Sequence, residues 1–142
     1  MKVSAILSPM DRQQALFAGL KHRNALVTGA TRGIGRAIAE MLARQGVHLI
    51  LTGRDQERLE QWAQELRQAY DIQVLAQAAD LADVSAIERL IQRIRSDYDK
   101  LDILINNAAV TFSGAMENTP TEVCDQCMAV NARAPFVICR GC

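Results

Sequence analysis

Between the apolar run Ala25-Leu26-Val27 and a helical pattern beginning near Ile34, the sequence reads Thr28-Gly29-Ala30-Thr31-Arg32-Gly33-Ile34-Gly35. Glycines at 29, 33 and 35 let a chain leave a strand in a sharp turn, bring its amides close to a pyrophosphate, and aim a helix N-terminus at negative charge. A glycine-rich turn alone is also consistent with tight packing; the strand before it and the helix after it favour a dinucleotide cradle. Arg54 falls about 20 positions after the glycines, at the tip of the second expected strand, where a dinucleotide's adenosine ribose is read. An acidic side chain there would bond the ribose hydroxyls, whereas a guanidinium takes a 2′-phosphate through paired charge-assisted bonds. Arg32, inside the turn, can approach the same phosphate. The two arginines favour NADP(H), with NAD(H) possible; the competing readings are two solvated surface charges and the acidic neighbour Asp55.

These side chains need a scaffold that brings strand ends together, and the apolar pattern supplies one. A short strand at 25–27 precedes the glycine turn, and Ala37, Ile38, Met41 and Leu42 share a face of a helix closed near Gly46. A second strand at 47–52 ends at Gly53-Arg54, and Asp55 is placed to cap a helix to about Tyr70 with Leu59, Trp62, Ala63 and Leu66 inward. A third strand at 72–78 leads to Asp80-Leu81, followed by a helix over 84–97 with Ile87, Leu90, Ile91 and Ile94 at helical spacing. A fourth strand at 101–105 ends in Asn106-Asn107-Ala108-Ala109, and Thr119-Pro120-Thr121-Glu122 reads as a capping box opening a last helix toward Val137. This alternation predicts an α/β fold: a Rossmann-like, doubly wound parallel sheet of about four strands with helices on both faces. Residues 1–20 read as an extension of unknown role, with a short amphipathic helix over 10–20, and residues 21–142 as one dinucleotide-binding domain.

Four segments in order, Thr28 to Gly35, Asp80-Leu81, Asn106 to Ala109, and Val130-Asn131, resemble the signature of the short-chain dehydrogenase/reductase family. The resemblance covers residues from about 20 onward and implies strand order 3-2-1-4. It also implies that Gly29, Gly33, Ile34 and Gly35 hold the pyrophosphate, that Asp80 and Leu81 frame the adenine, and that Asn107 with Ala108 lines the cofactor groove. Asn131 matches the helix asparagine that organises the family's proton relay. Ala109 stands where the family usually has glycine. Complete relatives move a hydride between NADPH and a small carbonyl or alcohol substrate.

The family's serine and Tyr-x-x-x-Lys pair supply the acid that protonates the oxyanion left by hydride transfer. Neither tyrosine fits that pattern here: Tyr70 is followed four residues on by Val74, and Tyr98 by Asp102. The lysines are Lys2, Lys21 and Lys100. The expectation is the nucleotide-binding portion of such an oxidoreductase, incomplete at the C-terminus and without turnover of its own. A non-catalytic NADP(H)-binding or interaction module is the alternative. An apolar edge at the fourth strand and an uncovered last helix predict self-association.

Cys124-x-x-Cys127 and Cys139-x-x-Cys142 formally match a four-cysteine zinc site. The first pair lies inside the expected helix without a turn residue between its members, so half-buried helix cysteines and no metal site are the expectation. Trp62 reads as core or interface, and His22 and His48 as isolated. Charges balance at 16 Lys and Arg against 16 Asp and Glu with no run of one sign, which argues against a nucleic-acid partner. No segment of the sequence reads as a secretory or membrane-spanning stretch, so a cytoplasmic protein is expected.

Overall fold

The computed structural model describes residue 17 and residues 19–142; the helix expected over 10–20 and the extension 1–20 lie outside the described residues apart from Phe17, Gly19 and Leu20. One parallel sheet carries, in spatial order, β3 (Val74–Ala78), β2 (His48–Gly53), β1 (Asn24–Thr28) and β4 (Ile103–Ile105). This is the expected 3-2-1-4 order. The two inner strands are apolar without alternation because both sheet faces are covered. Leu26 and Ile50, in register, pack into one layer, while Val27 and Leu51 pack into the other; all four are fully buried.

On one face lie α1 (Gly33–Arg44) and α2 (Gln56–Ala69); on the other lie α3 (Val84–Asp97) and α5 (Ala134–Gly141). Asp55 caps α2 as expected, its Oδ1 accepting from the Arg58 N–H at 3.1 Å, and Leu59, Trp62, Ala63 and Leu66 are buried. The Arg36 guanidinium carbon sits 3.8 Å from the Trp62 ring centroid, so the indole is core below and cation-covered above. In α3, Ile87, Leu90, Ile91 and Ile94 all turn inward.

The face of α1 is shifted from its expected one: Ile38 and Leu42 pack on the core as expected, and Ala37 and Met41 do not. Gly35, Ala39, Leu42 and Ala43 are buried, while Ala37 and Met41 are exposed. Small residues at 35, 39 and 43 form a ridge that lets the helix approach the sheet closely, which outweighs the greater apolarity of the other side. The outer strands also start later than their apolar runs. Ladder pairing begins at Val74 in β3 and at Ile103 in β4, where Asp102 turns its carboxylate onto the Asn24 N–H at 3.0 Å before the strand begins.

The expected capping box does not form. Pro120 is the N-cap of α4 (Thr121–Met128) with no side-chain cap bond, and Thr119 Oγ1 donates back to Ala115 O at 3.0 Å across the 3₁₀ turn Met116–Asn118. Nor is the last helix continuous: a π-helical turn, Ala129–Arg133, separates α4 from α5. The two histidines are neighbours rather than isolated, with ring centroids 5.7 Å apart and His48 Nδ1 accepting from the Gln73 N–H at 3.0 Å. Among the described residues no helix is long and apolar enough to cross a membrane.

Candidate functional site

Parallel strands present all their carboxyl ends on one side, so the loops after β1, β2, β3 and β4 converge there. They enclose a groove of about 380 Å³, within the range of small-molecule sites. Of the residues singled out from the sequence, the groove is lined by Gly29, Arg32, Gly33, Ile34, Arg54, Asp80, Leu81, Asn107 and Ala108. Gly35 lies beneath this surface, buried at the start of α1.

The three glycines do different work. A Cβ on Gly35 would run into Gly29 O and the Asn107 amide nitrogen, and one on Gly29 would meet the same Asn107 Nδ2 at 2.9 Å. Those two glycines make room for Asn107, which donates from Nδ2 to Thr28 O at 2.9 Å and Gly29 O at 3.3 Å. Gly33 instead has φ +58°, and a Cβ there would meet nothing within 4 Å, so it shapes the turn and faces open space. No side chain caps α1 and no acidic residue occupies its first turn. Its positive end therefore stands ready for an anion.

Arg32 and Arg54 are both exposed on the groove wall, and among the described residues neither has a carboxylate within ion-pairing distance. Asp55, the acidic rival next to Arg54, is engaged elsewhere: it caps α2 and pairs with Arg58 Nε at 3.2 Å. Asp80 Oδ1 accepts from the Ala82 N–H at 3.0 Å, which fixes the turn after β3.

Asn131 stands outside the groove lining, in the π-helical turn, beside the lining residue Val130. Both ends of its amide are spent on one residue: Oδ1 accepts from the Val110 N–H at 2.9 Å and Nδ2 donates to Val110 O at 2.7 Å. Tyr70 and Tyr98 cap the C-termini of α2 and α3 and do not line the groove. Burial, helped by Asp97, pushes the Tyr98 hydroxyl up from its ordinary value, the opposite of what a proton donor at neutral pH needs.

Thr28, Thr31 and Gln126 escape a reading of the sequence. Thr31 and Gln126 line the groove, and Thr28 Oγ1 accepts from the backbone N–H groups of Asn107 and Ala108, each at 3.0 Å. A lone hydroxyl closing an otherwise apolar strand is the available signal for Thr28; nothing local marks Gln126. Of the cysteines, Cys124, Cys139 and Cys142 are exposed and only Cys127 is half-buried, contrary to expectation: α4 buries no residue, and α5 turns Ala134, Val137 and Ile138 to the core rather than Cys139. Among the described residues no three His, Cys, Asp or Glu side chains gather into a metal-binding group.

A 3-2-1-4 parallel sheet with an uncapped glycine-turn helix at its carboxyl edge defines a nucleotide-binding α/β domain. Residues 23–142 match the family model for short chain dehydrogenase, and the chain belongs to that family. It is 34% identical over 119 residues to a 3-oxoacyl-acyl-carrier-protein reductase of Aquifex aeolicus, covering 84% of this chain and 48% of the relative. The L-sorbose reductase of Gluconobacter frateurii, solved with NADPH and L-sorbose, superposes with a TM-score of 0.83 at 30% identity, over 85% of this chain and 46% of the reductase. A metagenomic short-chain oxidoreductase in complex with NADP gives a TM-score of 0.81 at 34% identity, over 86% and 56% of the two chains. The chain spans about half the length of the first curated relatives it matches.

Proposed function

We propose that this chain is the NADP(H)-binding portion of a short-chain dehydrogenase/reductase-type oxidoreductase. The observation that carries the reading is the pair Arg32 and Arg54 on the groove wall, both without a carboxylate partner among the described residues, while Asp55 is occupied by Arg58. The cofactors held by the neighbouring structures, NADPH and NADP, support it. The residues fit the cofactor: the groove is roomy, the α1 end is open, and Gly33 leaves its rim clear.

In this reading Gly29, Gly33, Ile34 and Gly35 form the pyrophosphate turn, Asp80 and Leu81 flank the adenine, and Asn107 with Ala108 walls the groove. Arg32 and Arg54 take the 2′-phosphate through charge-assisted bonds. Asn131 is a positioning residue, holding the loop at Val110 against the π-helical turn. When bound, NADPH supplies the hydride that relatives pass to a carbonyl. The 142-residue chain holds the cofactor without turnover, since Tyr70 and Tyr98 stand at helix ends away from the groove. It self-associates through β4, an edge strand of the sheet among the described residues, and the exposed Phe136 and Met128.

Equilibrium titration followed by nicotinamide fluorescence tests the cofactor assignment. NADPH binds at least about tenfold more tightly than NADH, as one or two charged hydrogen bonds provide. Equal affinities sink it. Turnover with NADPH and a panel of ketones, lost on Asn131→Ala, would refute the non-catalytic reading of this chain. Sedimentation velocity showing only monomer would refute self-association.

A further inference from the structure

Asp55 gives both of its carboxylate oxygens to one residue: Oδ1 accepts from the Arg58 N–H at 3.1 Å, and Oδ2 pairs with Arg58 Nε at 3.2 Å. Arg54, the residue before it, lines the groove, whereas neither Asp55 nor Arg58 does. We propose that Arg58 sets cofactor specificity from outside the groove, by neutralising the carboxylate that would otherwise oppose a 2′-phosphate at Arg54. Arg58 is then a positioning residue acting through Asp55, a role that rests on the NADP(H) reading of the groove.

An acidic side chain beside the adenosine ribose does two things: it bonds the ribose hydroxyls of NADH and repels the 2′-phosphate of NADPH. Asp55 directly follows Arg54. The two Cα atoms are therefore about 3.8 Å apart, and the side-chain charges lie within a distance on the order of the 10 Å screening length of 0.1 M salt. At that range an unpaired carboxylate offsets part of the attraction between the Arg54 guanidinium and a phosphate. Arg58 cancels that charge. It also keeps Asp55 from turning toward Arg54, since the helix cap holds one oxygen and the Arg58 guanidinium the other. The pair is open to solvent, with the Arg58 side chain 74% and the Asp55 side chain 49% accessible, so it adds little to folding stability. Its effect falls on ligand choice.

Each partner can be changed without losing the cap of α2. The Arg58 N–H survives in Arg58→Ala, and asparagine caps a helix about as well as aspartate.

Fluorescence titrations of the 142-residue protein with NADPH and NADH at low salt, carried round a double-mutant cycle, test the role. Arg58→Ala lowers the ratio of NADPH to NADH affinity by about fivefold, while Arg58→Lys, which keeps a cation, holds it within about twofold of native. Asp55→Asn alone moves the ratio by less than about twofold, because that charge is already cancelled, yet it returns the Arg58→Ala protein to the native ratio. Three results overturn the role of Arg58 while the NADP(H) reading stands. One is a native ratio in Arg58→Ala. Another is no recovery in the double variant, which would put Arg58 on the phosphate itself. The third is an equal gain from Asp55→Asn with and without Arg58, which would mean that the charges simply add. A native protein that binds the two cofactors equally overturns both.

Discussion

Thr28 and Asn107 brace each other at the mouth of the groove: Thr28 Oγ1 accepts from the Asn107 N–H at 3.0 Å, and Asn107 Nδ2 donates back to Thr28 O at 2.9 Å. The β1–β4 ladder ends one residue earlier, at Val27 and Ile105. The brace therefore extends strand pairing into the loops and fixes where the glycine turn begins.

Thr28→Val keeps the shape of the side chain but deprives the N–H groups of Asn107 and Ala108 of their shared acceptor. Leaving such donors unpaired costs about 2 kcal/mol, read as a lower urea midpoint with an unchanged slope. Thr28→Ser retains the oxygen and loses only a buried methyl, costing about 1 kcal/mol. Equal losses for the two variants would show that the hydroxyl contributes nothing.

The glycines separate in the same assay. Gly35→Ala drives a methyl into Gly29 O and the Asn107 amide, so the turn and the brace must both shift. Gly33→Ala meets open space and bears only the left-handed backbone cost, about 1–2 kcal/mol. Gly35→Ala is the more destabilised variant, and the reverse order would contradict the packing described at Asn107.

What is legible in the sequence is what is local in it. The cap of α2 follows from Asp55, and the inward faces of α2 and α3 from large apolar side chains at helical spacing, and the structure keeps them. The face of α1 eludes the pattern because its buried side is built from Gly35, Ala39 and Ala43, which carry little hydrophobic signal, while the exposed Met41 carries much. Glycines and arginines close in sequence announce the groove. Gln126 and the Thr28 brace depend on elements roughly 80 residues apart meeting in space, and no local pattern encodes that. The π-helical turn around Asn131 likewise has no compositional mark: Ala-Val-Asn-Ala-Arg reads as ordinary helix.

In the proposed reading, cofactor discrimination rests on the Arg32 and Arg54 guanidinium groups, which have no carboxylate within ion-pairing distance among the described residues. Arg54→Ala weakens NADPH binding by about 10- to 100-fold, the worth of charge-assisted bonds to a phosphate, and leaves NADH binding within about twofold. Arg32→Ala acts in the same direction. Parallel fluorescence titrations with both cofactors check this, and an equal loss for NADH would place Arg54 at a part of the ligand the two cofactors share.

Asp102 gives the fold an acid-sensitive joint. The Asn24 N–H first, then the Lys100 ammonium and the Arg23 guanidinium, hold its carboxyl down to about 2. A folded-state value below the unfolded one adds stability that is complete above the ordinary carboxylate value near 4 and disappears as pH falls toward 2. Urea midpoints measured across that window fall for the native protein. Asp102→Asn starts lower at neutral pH and falls less between about pH 4 and pH 2, the sign that distinguishes this carboxylate from general acid unfolding.

Asn131 tests whether the π-helical turn is held by its side chain. Asn131→Asp keeps an acceptor for the Val110 N–H but replaces the donor to Val110 O with an oxygen, turning one of two hydrogen bonds into a repulsion. π-turns inside helices persist where a particular contact sustains them. Amide exchange at Val110 should therefore quicken by about fivefold, the size of a lost hydrogen bond of about 1 kcal/mol, while amides in the middle of α3 keep their native protection. Because both hydrogen bonds of the amide among the described residues go to Val110, cofactor affinity should change by less than about threefold. A large affinity loss with unchanged exchange at Val110 would mean that Asn131 touches the ligand itself, and its role as a positioning residue would fall.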